Sequence, residues 1–273
     1  MIKDITLGQF FPGNSILHKI DPRIKIILAI IFIAIVFLAK TPLAYAEILI
    51  YALILIVISG ISVKTILKSL KPLVFILVLT SVLNIFWTTG DKLLLSAGPI
   101  KIYAEGVMFA IFMVIRISVL LVSTTVILTY TTSPIMLTDG IERLLAPLKV
   151  FKIPVHEFSL MMTIALRFIP TLIEETDKIM SAQKARGANF SNGKLVDRAK
   201  ALIPVLIPLF VSAFRRADEL ATAMECRCYH GGDGRTKMTV TRITLLDSLA
   251  IIVFILAGVI VVITNNLPVG FKL

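Results

Sequence analysis

Five long apolar runs punctuate this chain: approximately Ile24 to Ala39, Leu43 to Ser59, Pro72 to Thr89, Gly106 to Tyr130 and Ile243 to Thr264. Each approaches the roughly 17 to 25 apolar residues that cross a bilayer core of about 30 Å. The first is short by itself and borrows a flanking turn. Between the fourth and fifth runs the pattern changes. Residues 131–242 are too many for a loop and too charged for simple bilayer crossings, and they read as three helices. The first runs from Pro134 to about Lys149, with Ser133 as N-cap, Pro134 at the first helical position and Pro147 near its end. The second starts near Pro154 and reaches Arg186, where Gly187 supplies a left-handed cap. The third runs from about Asn192 to Arg227 and stops before the breaker His230-Gly-Gly-Asp-Gly234. Phe158 to Ile173 and Ala201 to Phe214 are apolar enough to resemble spans. Each is interrupted by charge or proline (Arg167 and Pro170; Pro204 and Pro208) and leads into a charged amphipathic half, so neither is counted. The pattern predicts an all-α integral membrane protein: residues 1–130 carry the first four spans, 131–242 a cytoplasmic three-helix insert, and 243–273 the fifth span and an external C-terminus.

Composition removes the soluble alternatives. With 57% hydrophobic residues, 16% charged and a mean hydropathy of +0.94, the chain is not a large soluble domain. About 23 polar and amphipathic residues precede the first run with no small-residue cleavage site, so that span reads as an anchor and not as a signal peptide. Basic residues sit mostly on one side of the predicted spans, the other side holding Lys40, Lys92, Lys101 and Lys272, partly offset by Asp91 and Glu105. Lys3, Lys19, Arg23 and Lys25 precede the first, Lys64, Lys68 and Lys71 separate the second from the third, and sixteen lie within 131–242. The positive-inside rule then places the N-terminus and the insert in the cytoplasm. The +11 net charge is mostly this topology signal. A nucleic-acid partner would need a contiguous basic patch with stacking aromatics, and neither is visible. Cys226 and Cys228 are too close together for ordinary disulfide geometry and read as reduced cytosolic thiols.

One motif occurs twice. Glu175-Thr-Asp-Lys-Ile-Met-Ser-Ala-Gln-Lys-Ala-Arg-Gly187 overlays Arg216-Ala-Asp-Glu-Leu-Ala-Thr-Ala-Met-Glu-Cys-Arg-Cys228 at an offset of 41 residues, matching Asp177 to Asp218, Ile179 to Leu220, Ala182 to Ala223 and Arg186 to Arg227. Taken alone, Arg186 before Gly187 is an ordinary capped helix end. Its repetition at Arg227 suggests two equivalent receptors. Cys226, Cys228 and His230 offer a metal cluster without a second ligand pair at the usual spacing, so small-residue packing is the simpler reading. Arg116 is the one formal charge well inside a span, open to a partner, a lipid headgroup or pairing within the bundle. Asp21-Pro22 reads as an N-cap with a first-turn proline. The Gly231 to Gly234 loop lacks the pattern of a phosphate cradle, so any ATP is bound by other chains.

The helix ends Ala185-Arg186-Gly187 and Cys226-Arg227-Cys228 resemble the paired Ala-Arg-Gly signatures of the transmembrane coupling subunit, or T component, of energy-coupling factor (ECF) transporters. The N-terminal run from Gly8 through Asp21-Pro22-Arg23 is also similar to that family's opening. The resemblance implies a transmission between two ABC ATPase subunits, expected as a heterodimer, and a membrane-embedded, substrate-binding S component that takes up vitamins or other micronutrients at the plasma membrane. It implies that Ala185, Arg186, Gly187, Cys226, Arg227 and Cys228 bind the ATPases. It also implies no cofactor on this chain, ATP and Mg residing on the partners. Cys226 and Cys228 depart from the pattern, and the missing glycine leaves the second helix cap open to question.

Two other classes compete. An enzyme would need a catalytic constellation; Asp139-Gly140 with Arg143 is the faint start of a phosphotransferase motif whose downstream aspartates are missing. A self-sufficient secondary transporter or channel would place carboxylates or broken helices at the midplane, yet the spans hold almost no acid beyond Glu47.

Overall fold

The computed structural model describes residues 10–90, 93–97, 100–188, 190, 195–232, 234 and 243–267. Its helices are α1 (Ile16–Lys19), α2 (Pro22–Leu38), α3 (Pro42–Ser59), α4 (Val63–Leu70), α5 (Val74–Trp87), α6 (Ala104–Thr124), α7 (Pro134–Leu144), α8 (Val155–Ala185), α9 (Leu195–Cys226) and α10 (Leu245–Asn266). A small antiparallel hairpin, β1 (Leu93–Ala97) and β2 (Ile100–Tyr103), joins α5 to α6. The chain separates into two compact units, Gly8–Gly140 with Thr241–Leu273, and Ile141–Val240.

In the first unit the helix starts are written in the sequence. The Asp21 side chain accepts the Arg23 N–H, with Pro22 in the first turn of α2; Thr41 caps α3 beside Pro42, and Gly60 ends it at φ +69°. Thr244 and Asp247 form a reciprocal capping box on α10. Such caps matter because a helix end facing hydrocarbon has no water to satisfy its free N–H and C=O groups. Leu28, Phe32, Ile35 and Val36 make a buried stripe on α2, which packs with Ala44, Tyr45 and Ile48 of α3, Val119 and Val122 of α6, and Val261 of α10. Elsewhere large apolar side chains point outward, Phe75 at 74% and Trp87 at 84% exposure among them, as lipid-facing surfaces do.

Among the described residues, four helical segments are long and apolar enough to cross a membrane: Pro42–Ser59, Val63–Trp87, Ala104–Tyr130 and Leu245–Asn266. The first expected span, α2, has 17 residues and is shorter than any of these. α8 and α9, of 31 and 32 residues, are not among the four.

One expectation is corrected. The helix expected over Pro134 to Lys149 ends at Leu144 and is followed by a 3-10 stretch, Ala146–Phe151, because Pro147 has no N–H to continue an α-helix. Lys64, Lys68 and Lys71, between α3 and α5, lie in α4 and in the 3-10 turn Lys71–Leu73 that passes into α5; Ser62 caps α4 and Ile66 is buried. α6 opens into a π-helix over Thr125–Tyr130.

Arg116 is turned into this unit. Its guanidinium donates to the Ala39 carbonyl at 3.0 Å and lies 5.4 Å from the centre of the Tyr45 ring, which stacks on Phe112. It thus satisfies the carbonyl end of α2, where a cation is favoured. Glu47 accepts from the Thr264 hydroxyl at 3.2 Å.

Candidate functional site

The site consists of the two repeated helix ends in the second unit. α8 runs unbroken through Pro170, and α9 through Pro204 and Pro208. The start expected at Asn192 lies outside the described residues; α9 is defined from Leu195. Glu175 accepts from the Arg216 guanidinium at 2.8 Å, and Gln183 Nε2 donates to the Pro204 carbonyl at 3.4 Å. Leu160, Ile164 and Arg167 face Leu220, Met224 and Arg227 across a cleft. Residue numbers fall on α8 as they rise on α9, so the two helices form an antiparallel hairpin. Arg227 lies level with Leu160, and at 1.5 Å per residue the Arg186 end is roughly 40 Å away along the hairpin.

The two ends have the same backbone. At the first, the Gly187 N–H donates to the Lys184 carbonyl at 2.9 Å and the Ala188 N–H to Gln183 at 3.0 Å. At the second, Cys228 donates to Glu225 at 2.8 Å and Tyr229 to Met224 at 3.0 Å. Both are Schellman motifs, and in both the arginine is the residue just before the left-handed one. Gly187 takes φ +89° and Cys228 φ +55°. The cysteine therefore adopts the conformation that glycine would favour, and the repeat is preserved in three dimensions. One turn earlier it also holds: Ser181 donates to the Asp177 carbonyl and Thr222 to that of Asp218, again 41 residues apart.

Arg186 and Arg227 are both exposed, with no ion pair among the described residues. Ala185, Gly187, Cys226 and Cys228 are exposed around them, and both thiols are free. Each guanidinium stands where the helix carbonyls concentrate negative potential, which orients it without neutralising it. A planar cationic fork flanked by small residues can enter a partner's groove and pair bidentately with a carboxylate.

The surroundings differ. Arg227 borders a cleft of about 490 Å³ that Lys149, His156, Arg167, Tyr229 and Gly232 also line. The His156 ring is 3.1 Å from Glu142, and Gly232 packs so close to the ring that a side chain there would collide with it. These residues escape a reading of the sequence, because they converge from three separate stretches. The Glu175–Arg216 pair escapes it too, since matched positions of a repeat do not say that two residues touch. The Ser212 hydroxyl and then Arg216 hold the Glu175 carboxyl below the usual carboxylate range. Among the described residues no three His, Cys, Asp or Glu side chains form a metal-binding group.

The fold and the site together define a multi-pass membrane protein that displays two cationic helix caps on a separate helical unit. The family model for the cobalt transport protein CbiQ matches residues 13–240. A protein of Ruminiclostridium cellulolyticum called energy-coupling factor transporter transmembrane protein EcfT is 56% identical over 249 residues, covering 91% of this chain and 92% of its own. Proteins of the same description from Thermosediminibacter oceani and Bacillus subtilis are 51% identical over 251 residues and 47% over 237, covering 92% and 87% of this chain and 94% and 89% of their own. The chain belongs to this family of energy-coupling factor transmembrane proteins.

Proposed function

We propose that the chain is the coupling subunit of an ECF-type importer, carrying ATP-driven motion from two ABC ATPase subunits to a membrane-embedded S component for uptake of a vitamin or another micronutrient. α2 serves as the first of five spans. The N-terminus and residues 131–242 face the cytoplasm, and the C-terminus lies outside. ATP and Mg belong to the partner ATPases, and this chain has no catalytic role.

The observation that carries the reading is the exact duplication of the capped arginine at the ends of α8 and α9. Two similar receptors at opposite ends of one hairpin match an ATPase pair, with Ala185, Arg186 and Gly187 on one and Cys226, Arg227 and Cys228 on the other. Phe158, Met161 and Met162 of α8 and Ile203, Ile207 and Phe210 of α9 are exposed apolar residues that suit contact with a membrane-embedded partner.

Truncating a buried interface arginine costs on the order of 2 kcal/mol, or about thirtyfold in affinity. The Arg186→Ala, Arg227→Ala double variant should lose both ATPases on purification and all ATP-dependent uptake in vesicles. Uptake that persists with both ATPases bound removes the basis of the proposal. Uptake by liposomes containing this chain alone would favour the rival reading of a self-sufficient transporter.

A further inference from the structure

The chain leaves the first unit after Gly140 and re-enters it at Thr241. The stretches on either side of that excursion are fastened to one buried polar cluster at the N-terminal end of α2. On the outgoing side, Lys25 Nζ donates to the Thr131 carbonyl at 2.8 Å and to the Thr132 hydroxyl at 3.0 Å. On the returning side, Asp247 Oδ1 accepts the Asp21 N–H at 2.8 Å. Asp247 Oδ2 accepts the Thr244 N–H at 2.7 Å and its hydroxyl at 2.8 Å. Asp21 and Lys25 are one helical turn apart, joined by the Lys25 N–H to the Asp21 carbonyl at 3.1 Å. Lys25 is 2% exposed, Asp21 5%, Asp247 1%, Thr131 2% and Thr132 1%.

Burying an ammonium and two carboxylates is expensive, and apolar packing would hold three helices at least as well. The cluster does what apolar packing does not: it makes directional links from both connecting stretches to the same helix turn. A second arrangement is also available. Asp21 Oδ2 is buried and accepts no hydrogen bond among the described residues, and the Asp21 and Asp247 carboxylates both act on the Lys25 ammonium. An unused acceptor one helical turn from the Lys25 ammonium offers it an alternative partner to Thr131 and Thr132. The π-turn Thr125–Tyr130 immediately before Thr131 gives that stretch a non-standard helical path into the cluster. Gly140 of α7 lies against Pro22, where an added Cβ would come within 3.1 Å of the ring carbon.

We propose that Lys25, Asp21 and Asp247 form a relay in which displacement of either connecting stretch is passed to α2 and through it to the other spans. They are positioning residues, and their task rests on the coupling function proposed above.

The test uses the complete transporter in liposomes, with its ATPases and S component, and measures assembly, ATP hydrolysis and substrate taken up per ATP. Lys25→Met and Asp247→Asn are expected to assemble and hydrolyse ATP, with substrate per ATP reduced about tenfold, a common size for coupling between sites. Lys25→Arg should recover part of the ratio. If the Lys25→Met complex fails to assemble, Thr132→Val decides, since it removes one acceptor and leaves every charge in place; its ratio should also fall. Ratios unchanged in all assembling variants, or hydrolysis and uptake that fall in proportion, overturn the relay. A wild-type assembly whose uptake ignores ATP overturns the coupling function itself and the relay with it.

Discussion

Cys228 does a glycine's work at the end of α9. A side chain in the left-handed region costs roughly 1 to 2 kcal/mol, which Cys228 carries at φ +55° and Gly187 avoids at φ +89°. Cys228→Gly should therefore raise the thermal unfolding temperature of the purified protein, and Gly187→Ala should lower it, each by the equivalent of about 1 kcal/mol. Among the described residues, no atom beyond its chain neighbours lies within 4 Å of a Cβ placed on Gly187, so its loss would be backbone strain. Arg116 makes a separate case at this scale. It was legible as an intramembrane charge but not as the cap of α2, because Ala39 lies 77 residues away. Arg116→Met should cost about 1 to 3 kcal/mol through the orphaned carbonyl, with thermal stability falling while ATPase binding is unchanged.

The hairpin of α8 and α9 is the element on which the site depends, and its half-buried ion pair is only a small part of what holds it. A double-mutant cycle on Glu175 and Arg216 should give no more than about 1 kcal/mol of coupling. Because folding depresses the Glu175 carboxyl, its contribution is complete above the unfolded-state value and disappears as pH falls through the lower folded value. Acid titration of hairpin stability should show that loss in the wild type and not in Glu175→Gln. Helix caps were the most legible part of these elements: Asp21, Thr41, Ser133 and Gly187 all act at the ends where their chemistry points. Lys64, Lys68 and Lys71 marked only a separation between spans in the sequence; Ser62 before Val63 and the buried Ile66 write a helix there. The β-hairpin was missed because its strands of five and four residues are short and lie beside long apolar runs.

At the scale of the whole molecule, the duplication could be read in one dimension but its geometry could not. A matched sequence does not say whether two helix ends lie together or apart; the contacts of Gln183 with Pro204 and Glu175 with Arg216 settle it as antiparallel. The arginines are therefore distant, and a partner engaging both must be a pair of subunits or one very large surface. This separation makes the central claim directly measurable. A photoreactive residue placed at position 186, and separately at 227, is cross-linked in the native membrane and its products are identified. The account predicts an ATPase subunit at each position, with a different ATPase chain captured at each if the pair is heterodimeric. Cross-links only to lipid or to this chain itself, with both ATPases still bound to the complex, would contradict it.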